Sequence, residues 1–501
     1  MTVKFRGAAD GTELVNLVVV SNRGARPRAN EPMTGGLAAA LLPVVEKTGA
    51  IWVGSSGRLT DNARTAVPRT EPLGAGALAM LDLPAAHYGG YYESYANSAL
   101  WPALHSRSDL IRTSQGDYES YRAVNAFVAR ALIGFNRPET AFWIQDYHFL
   151  ALAAELRALG VQQPIGFFLH TPWPARSVMY GVPHHREIIR SMLAFDLIGF
   201  QTDRDCENFA DYLRGELGLT VEDGRVVSER GVTRLAAFPI GIDVDGFAAQ
   251  AAKAAMHPDV SRLRLSLHGE RLAIGVDRVD YSKGLVNRIH AFERLLPLHP
   301  SLQRAISLLQ IATPSREAIE AYSRLQAELA SLVSDVNGRH GEPDWTPIRY
   351  LNKGYGQQIL AGFYRSSQIG LVTPFHDGMN LVAKEYVAAQ NPDDPGVLVL
   401  SRFAGAASEL DAALLVNPHD VDEIARAMAT ALSMSILERR ERWEAMMKKL
   451  RAQTIHQWLK DFLAVLAATR NACEMSASDS LVSERPPASS SCHAPEGAWL
   501  H

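Results

Sequence analysis

Runs of consecutive apolar residues alternate along the chain with segments whose apolar residues recur every three to four positions. In the first half, the continuous runs predict strands at 17–20, 51–53, 142–145, 165–169 and 197–200. The segments between them predict helices, among them 37–47 and 151–159. Continuous apolar runs indicate strands covered on both faces, and their alternation with helices favours a parallel sheet built from β-α units.

The same pattern restarts in the second half. Continuous runs predict strands at 272–276, 305–311, 369–373, 397–400 and 414–416. Helices are predicted between them, including 317–336 and 381–389, and a long helical pattern covers 437–466. The chain is therefore assigned to the α/β class, with two doubly wound domains that face each other across a cleft lined by strand carboxyl ends.

The division between the domains is predicted in the Ala-rich stretch 246–257, which follows Pro239-Ile240-Gly241-Ile242. We assign residues 1–250 to the first domain and 251–470 to the second, and we expect the last helix to pack back on the first domain. Residues 471–501 are rich in Ser and Pro and are expected to be a disordered tail.

Composition and charge narrow the function classes. The chain has 501 residues, which is too many for one core, and its net charge of −4 argues against a nucleic-acid partner. Its three cysteines are too scattered for a disulfide framework or a zinc site. The N-terminus is polar, so no signal peptide is predicted. No run of ~20 apolar residues occurs, so no membrane span is predicted. A cytoplasmic protein is therefore expected.

Polar residues and glycines follow the predicted strands of the first domain. Arg23 comes directly after the first strand, and Gly35-Gly36 opens the next helix, where glycine lets a phosphate or a sugar approach the backbone. Asp146 and His170 each come at the end of a later strand, at the edge where an open α/β sheet binds its ligands. The structural alternatives are a glycine turn with a surface arginine, a helix-capping aspartate and a buried, hydrogen-bonded histidine.

Two cations lie on a loop between a strand and a helix of the second domain. Arg278 and Lys283 stand in the segment 277–284 and could neutralise a leaving diphosphate without a metal. This would stabilise the charge that develops in the transition state. The structural alternative pairs them with Asp277 and Asp280 as surface ions.

The segment 375–385 runs from a strand end through a glycine turn into a helix. Backbone amides at the start of that helix can hold a phosphate, and Asp377 can accept hydrogen bonds from sugar hydroxyls. Glu385, on the first turns of the helix, could accept from two vicinal ribose hydroxyls. Helix capping is the structural alternative for these two acids.

Two other clusters look superficially like metal sites. Asp243-Val244-Asp245 is similar to a paired-carboxylate metal site, but it falls near the predicted domain junction and outside a strand-end pocket. His184-His185 lacks partner ligands at metal spacing, so a surface pair is favoured. No metal site is predicted.

Taken in order, segments of this chain resemble the trehalose-6-phosphate synthases of glycosyltransferase family 20 from about Leu17 to Leu466. The matching segments are 21–23, 35–37, 97–102, 146–148, 167–174, 278–285, 310–316 and 377–386. No single segment is decisive, but the ordered set is highly specific. The resemblance implies the GT-B fold, in which two Rossmann-like, doubly wound domains face a central cleft.

The resemblance also implies roles for the candidate site residues. The second domain would hold the donor sugar nucleotide, with Arg278 and Lys283 at the diphosphate, Glu385 at the ribose, and backbone amides from Leu381 and Val382. The transferring glucose would lie against Asp377, His170 and Gly36, and the donor segment also includes Met379 and Asn380. The residues matching the acceptor site are Arg23, Tyr92, Trp101, Asp146 and Arg316. The expected catalytic set is Arg278, Lys283, Asp146 and His170.

The reaction implied by the resemblance moves glucose from a nucleotide diphosphate glucose to glucose 6-phosphate with retention of configuration. UDP-glucose is the first expected donor, and neither a cofactor nor an obligatory metal is implied. In a front-face displacement, the leaving phosphate oxygen takes the proton of the acceptor's anomeric hydroxyl. A separate trehalose-phosphate phosphatase would act downstream, and a homo-oligomer is expected.

Three residues depart from the family pattern. Ser55 stands where some bacterial relatives carry a tryptophan that lines the acceptor pocket. Tyr355 replaces a phenylalanine near the donor base, and His376 replaces an arginine beside Asp377. Either of the last two changes could alter the preference between UDP-glucose and GDP-glucose.

Three other functions stay open at this point. A transferase of the same family could use another phosphorylated acceptor, such as glycerol 3-phosphate. A two-domain sugar-nucleotide epimerase shares the general architecture, but it needs an acid-base pair that we cannot assign. A non-catalytic sugar-phosphate sensor would be expected to have lost members of the set Arg278, Lys283, Asp377 and Glu385, and all four are present.

Overall fold

The computed structural model describes residues 5–6, 13–14, 16–24, 41–42, 45–62, 64 and 66–483. Its strands form two large sheets and one small pair. The pair joins β1 (Phe5–Arg6) to β2 (Glu13–Leu14) in antiparallel fashion. Each large sheet belongs to one half of the chain, as the repeated strand-helix pattern predicted.

The first large sheet has ten strands in the order β10-β11-β12-β9-β8-β7-β3-β4-β6-β5. The seven strands from β12 to β6 are mutually parallel, and antiparallel hairpins extend both edges. The strands are β3 (Asn16–Arg23), β4 (Ile51–Thr60), β5 (Arg69–Leu73), β6 (Gly76–Pro84), β7 (Thr140–Gln145), β8 (Ile165–Phe168), β9 (Leu197–Phe200), β10 (Val221–Glu222), β11 (Arg225–Ser228) and β12 (Gly231–Ala237).

The second large sheet has six parallel strands in the order β15-β14-β13-β16-β17-β18. The strands are β13 (Arg271–Arg278), β14 (Ile306–Thr313), β15 (Ile348–Leu351), β16 (Ile369–Val372), β17 (Val397–Ser401) and β18 (Leu414–Val416). The order reverses beside β13, and such a switch point is where an open α/β sheet forms its ligand crevice.

Helices cover both faces of the sheets. Those of the first domain are Ala85–Tyr88, the π-helical Gly89–Leu100, Trp101–Leu104, Asp117–Leu132, Leu152–Ala158, Arg176–Met179, His185–Met192 and Asp203–Leu217. Those that follow it are Val244–Ala254, Pro258–Ser266, Leu285–Leu298, Glu320–His340, Gln357–Arg365, Leu381–Ala389, Val421–Ser433, Ile436–Ala452 and Ile455–Ser483. Of the predicted helix 37–47, residues 41–42 and 45–47 are helical and the others lie outside the described residues.

The helical pattern predicted as one unit at 437–466 is divided into two helices at Gln453 and Thr454. The Thr454 hydroxyl accepts a hydrogen bond from the Gln457 backbone N–H at 3.2 Å, and therefore caps the second helix. That helix runs to Ser483, beyond the point where the disordered tail was expected to begin. Disorder stays a prediction for 484–501, which lie outside the described residues.

The last helix packs on the first domain through aromatic rings. The ring of Trp458 lies 4.8 Å from that of Trp143 on β7, and Phe462 lies 5.0 Å from the same ring. Gly166 and Gly199 make room for Phe462, because a Cβ at either position would come within 2.8 Å of its ring. The last helix therefore buries its apolar face against the first sheet, although it follows the second sheet in the chain.

The chain crosses between the domains twice, at 239–242 and at 453–454, and the two crossings contact each other. The Ile455 N–H donates to the Ile242 carbonyl at 3.3 Å, and Gln453 Nε2 donates to the Pro239 carbonyl at 3.3 Å. Phe247 stacks on Tyr364, 6.4 Å between ring centroids, so the helix Val244–Ala254 packs with the second domain. The pattern-based assignment had placed residues up to 250 in the first domain.

Replacement of Gly241 by alanine should destabilise the protein by about 2 kcal/mol, the cost typical of overpacking a well-packed site. A Cβ at Gly241 would lie 2.1 Å from the Gln453 carbonyl oxygen and 2.5 Å from the Thr454 carbonyl carbon, both of which are backbone atoms. The measurement is the urea-unfolding free energy. Gly338→Ala is the matched control, because no atom lies within 4 Å of a Cβ there and alanine favours its helix. Equal effects of the two substitutions would contradict the prediction.

Candidate active site

The carboxyl ends of the two central sheets meet across a cleft. Gly378 of the second domain lies so close to the first that a Cβ there would be 2.1 Å from the His170 carbonyl oxygen. Ser106 Oγ and His376 Nδ1 are hydrogen-bonded at 3.2 Å across the same boundary. Residues from distant parts of the sequence therefore form one site.

A buried ion pair lies at the donor side of the cleft. Lys283 Nζ donates to Asp377 Oδ2 at 2.5 Å, and Asn380 Nδ2 donates to the same oxygen at 3.0 Å. Burial by itself would raise the pKa of Asp377, but the Lys283 ammonium holds it below its usual value. Asp377 is therefore a carboxylate, able to accept hydrogen bonds from a sugar while Lys283 keeps its charge close by.

Two guanidinium groups lie close to the indole ring of Trp101. The Arg316 Cζ lies 3.9 Å from the ring centroid and the Arg278 Cζ lies 5.6 Å from it. Arg316 also donates to the Tyr147 hydroxyl at 3.0 Å and to the Tyr322 hydroxyl at 2.6 Å. Two cations beside one aromatic ring, at the domain boundary, are suited to bind a phosphate.

Asp277 and Asp280, the partners that the ion-pair alternative offered to Arg278 and Lys283, each form an ion pair with another arginine. Asp277 is paired with Arg288, whose Nη1 lies 2.6 Å from Asp277 Oδ2, and Asp280 accepts from Arg316 at 3.3 Å. The guanidinium of Arg278 is exposed at the end of β13. Its Cζ lies 5.6 Å from the centroid of the Trp101 ring, and the exposed side chain is accessible to an anionic ligand.

The remaining acceptor candidates lie on the first domain. Tyr92 stacks on His148 at 5.9 Å and on Tyr88 at 5.3 Å. Arg23 ends β3. Burial raises the pKa of Tyr88, and the positive charge of Arg23 acts in the opposite direction. Arg23 and Tyr92 thus share Tyr88 as a neighbour.

Asp146 directly follows β7 and has a backbone conformation that few residues adopt. Its φ is 73°, and its Oδ1 accepts a hydrogen bond from the His170 N–H at 3.3 Å. Burial raises the pKa of Asp146 to about 6, although Arg316 and Arg278 act in the opposite direction. Such strain at a strand end is characteristic of functional positions.

The loop 377–380 and the helix Leu381–Ala389 lie on the second domain's side of the cleft, where the resemblance implies the donor. Asn380 has a φ of 74°, and the helix begins at the next residue. Leu381 and Val382 therefore hold the first-turn positions, whose N–H groups lack partners within a helix. The Met379 carbonyl accepts from the Ala406 N–H at 2.8 Å, which fixes the loop. Burial raises the pKa of Glu385 to about 7.

The segment 375–385 contains a lysine, Lys384, to which no role was assigned from the sequence. Lys384 is fully buried, and its ammonium donates to Glu409 Oε2 at 2.5 Å and to the Ile240 carbonyl at 2.7 Å. It therefore joins the donor-site helix to the first interdomain crossing. A lysine beside a glutamate in a helix resembles an exposed pair, so the sequence carries no signal of this contact.

The two metal-like clusters have structural roles. Asp243 Oδ1 accepts from the Gly246 N–H at 3.1 Å, which caps a helix, and Asp245 pairs with Arg451 at 3.3 Å. His184 stacks on Tyr118 at 4.4 Å, and His185 is hydrogen-bonded to Tyr212. Among the described residues, no three His, Cys, Asp or Glu side chains are grouped so as to hold a metal ion.

The three positions that depart from the family pattern have ordinary contacts. The buried Ser55 Oγ accepts a hydrogen bond from the Gly57 N–H at 3.1 Å, and His376 is hydrogen-bonded to Ser106. The Tyr355 ring lies 5.3 Å from Phe363, with the Lys353 ammonium 5.1 Å above it. Gly36, expected at the transferring glucose, lies outside the described residues.

Two facing parallel-sheet domains with cations and carboxylates at their strand ends define the GT-B class of glycosyltransferase fold. The family description "Glycosyltransferase family 20" matches residues 14–468, and this chain therefore belongs to that family. Within the described part of the chain, no helix combines the length and the apolar character needed to span a membrane.

The sequence matches between this chain and its known relatives cover nearly the whole length of each relative. A trehalose-6-phosphate synthase of Sinorhizobium fredii is 44% identical over 460 residues, covering 91% of this chain and 99% of the relative. The crystal structure of a UDP-forming α,α-trehalose-phosphate synthase from Burkholderia vietnamiensis has a TM-score of 0.88 at 44% identity, covering 91% of this chain and 98% of that one. The Burkholderia xenovorans enzyme in complex with glucose-6-phosphate has a TM-score of 0.87 at 42% identity, with 90% and 99% covered.

Proposed function

We propose that this protein transfers glucose from UDP-glucose to glucose 6-phosphate with retention of configuration, giving α,α-trehalose 6-phosphate and UDP. One observation supports the proposal beyond family membership. Arg278 and Arg316 of the second domain both lie against the Trp101 ring of the first, and the same cleft contains the Lys283–Asp377 pair. A donor diphosphate and an acceptor phosphate, each anionic, would both find cations in this cleft.

The donor is proposed to lie along the helix Leu381–Ala389. The first-turn amides of Leu381 and Val382 would hold its diphosphate together with Arg278 and Lys283. Glu385, four residues along the same helix, would accept from the ribose hydroxyls. Asp377 would hold the transferring glucose, since its carboxylate is already ionised by the pairing with Lys283.

The acceptor is proposed to lie on the first domain, with its phosphate among Arg23, Tyr92 and Arg316 and its ring beside Trp101. Arg316 is positioned before any ligand arrives, because Tyr147, Tyr322 and Asp280 all hold its guanidinium. Preorganised charge of this kind spares reorganisation when the ligand binds. Asp146 would orient the acceptor hydroxyls.

The proposed step is a front-face displacement. The bond between the glucosyl anomeric carbon and the leaving phosphate oxygen breaks, while the acceptor's anomeric hydroxyl oxygen forms the new glycosidic bond on the same face. The hydroxyl proton passes to the leaving phosphate oxygen. Arg278 and Lys283 stabilise the negative charge that develops there, so the residues present supply the charge for which other transferases use a metal.

The phosphate of the acceptor stays on the product. A separate phosphatase must therefore remove it if free trehalose is to form. We further propose that the enzyme is cytoplasmic, because sugar nucleotides and sugar phosphates are cytoplasmic metabolites. We also propose that it is a homo-oligomer.

Product analysis tests the function. Purified protein is mixed with glucose 6-phosphate and either UDP-glucose or GDP-glucose in the presence of a chelator. Trehalose 6-phosphate with stoichiometric UDP is the expected result. A product formed only when glycerol 3-phosphate replaces glucose 6-phosphate would identify the other acceptor, and ligand binding without turnover would identify a sensor.

A further inference from the structure

The imidazole of His170 is held by a side chain to which the reaction gives no role. His170 Nε2 lies 2.9 Å from Oε1 of Gln145. Gln145 is the last residue of β7, fully buried, and in register with Phe168 of the parallel neighbour β8. The contact therefore joins the ends of two central strands, directly behind the proposed glucose site.

The environment keeps this imidazole neutral. The ring of Phe168 lies 4.8 Å from it and that of Trp458 lies 6.2 Å from it. Burial lowers the pKa of His170 to about 3. A neutral imidazole carries one proton, and the partner of one ring nitrogen decides which nitrogen carries it.

The structure places the amide oxygen of Gln145 against the ring, and in this orientation Nε2 carries the proton and donates it. The Gln145 amide nitrogen is buried without a hydrogen-bond partner among the described residues. No described residue forms a hydrogen bond with His170 Nδ1. This atom is also absent from the buried polar atoms that lack a partner, so it is accessible from the cleft. Nδ1 is consequently the nitrogen that can bind a ligand in the cleft.

We propose that Gln145 is a positioning residue that fixes His170 as the Nε2-protonated tautomer, so that Nδ1 accepts a hydrogen bond from a hydroxyl of the donor sugar. The identity of that ligand rests on the proposed function, whereas the tautomer does not. His170 then recognises the sugar as an acceptor and has no proton to give to the leaving phosphate oxygen. Proton transfer is left to the two substrates.

A neutral amide is the side chain that this arrangement requires. A glutamate in place of Gln145 would put a carboxylate against the ring and raise the pKa of His170, which favours an imidazolium without a free acceptor. A leucine would leave the Nε2 proton without its partner and both tautomers accessible. Glutamine alone of these three both orients the ring and leaves it uncharged.

The direct test reads the tautomer in the unliganded wild-type protein. Nitrogen-15 NMR on histidine-labelled protein distinguishes the two tautomers, and the His170 signals are assigned by their loss in His170→Asn. A proton on Nε2 at pH 7 is expected. A proton on Nδ1, or a protonated ring, would overturn the proposal without any substitution at Gln145.

Binding by variants provides the second test. In Gln145→Leu we expect a mixture of tautomers and a Kd for UDP-glucose that rises about tenfold, while the Kd for UDP changes by less than about twofold. In Gln145→Glu we expect UDP-glucose affinity to fall on acidification, at a pH where the wild type shows no change. An equal loss of UDP and UDP-glucose affinity in Gln145→Leu would mean a structural role only and would overturn the proposal.

Gln201→Leu is the matched control. Gln201 is also a buried glutamine at a strand end, following β9, and its Oε1 accepts from the Ile240 N–H at 3.1 Å. Its substitution should lower the melting temperature but leave the His170 tautomer and the ratio of UDP-glucose to UDP affinity unchanged. If UDP-glucose fails to bind the wild type while Nε2 carries the proton, the proposed function fails and the positioning of His170 stands.

Discussion

Replacement of Arg278 by alanine should lower kcat/KM for glucosyl transfer by roughly 10²–10³, or about 3 kcal/mol, as when one preorganised transition-state donor is lost. Arg278 ends β13 with an exposed guanidinium, and its described contact is the Trp101 ring at 5.6 Å. Its charge is therefore available to the phosphate oxygen that becomes negative as the glycosidic bond breaks. Lys283 is already paired with Asp377 and cannot fully replace it.

Steady-state kinetics with UDP-glucose and glucose 6-phosphate measure this effect. The loss should fall mainly on kcat, because the charge of the leaving group is greatest in the transition state. Arg294→Ala is the matched control, since Arg294 is an exposed arginine paired with Asp422 on the helix Val421–Ser433 of the same domain. Near-normal turnover by Arg278→Ala would contradict both the prediction and the proposed role of this residue.

Acidification below about pH 4.5 should destabilise the fold, and three buried histidines contribute up to about 4 kcal/mol per pH unit to this loss, because each takes up a proton on unfolding at about 1.4 kcal/mol per unit. Burial lowers the pKa of His105, His148 and His170 to about 3 in each case. A histidine in the unfolded chain has a pKa of about 6.5. The unfolded state therefore binds more protons, and stability falls as the pH falls towards 3.

Buried carboxyl groups oppose this trend at higher pH. Burial raises the pKa of Asp146 and of Asp205 to about 6, and that of Glu385 to about 7. Each of these groups binds its proton more readily in the folded state, so each stabilises the fold as the pH falls through its folded pKa. The opposing effects should nearly cancel between about pH 6.5 and 4.5. Below that range the unfolded carboxyl groups begin to bind protons too, so their opposition fades, and the carboxylate of Asp377, whose pKa lies below its usual value, adds to the loss of stability.

Urea unfolding at a series of pH values measures the slope. His148→Phe should keep the ring that stacks on Tyr92 and should reduce the slope below pH 4.5 by up to about 1.4 kcal/mol per pH unit, since one of the three histidine protons is lost. His456→Gln, at an exposed histidine, should leave the slope unchanged. A slope that does not respond to His148→Phe would show that other groups drive the acid transition.

Much of the fold is predictable because parallel strands are buried on both faces. Their runs of apolar residues are continuous, and all ten strands predicted from such runs are present. The helix Leu381–Ala389 was predicted with its observed bounds. Strands with mixed exposure were missed, such as β6, which alternates buried and half-buried residues, and β15, which has only one buried residue. The π-helical stretch Gly89–Leu100 carries no periodic signal that distinguishes it from an α-helix.

The sequence by itself determined which residues stand at strand ends, because strand boundaries and glycine turns are local features. Arg23, Asp146, Arg278 and Asp377 could be singled out on that basis, and the ordered motifs around them specify the family. The assigned roles of these residues at the two substrates stay proposals, and so does the role of Gly36.

The tertiary structure alone decided how these groups are paired. Lys283 and Asp377 are 94 residues apart, Lys384 and Ile240 are 144 apart, and Gln145 and His170 are 25 apart. The sequence pattern offered Asp277 as a partner for Arg278 or Lys283, but the structure pairs it with Arg288. Ion pairs, tautomers and pKa shifts depend on distances and burial between segments remote in sequence. Local patterns of hydrophobic and polar residues do not contain those distances.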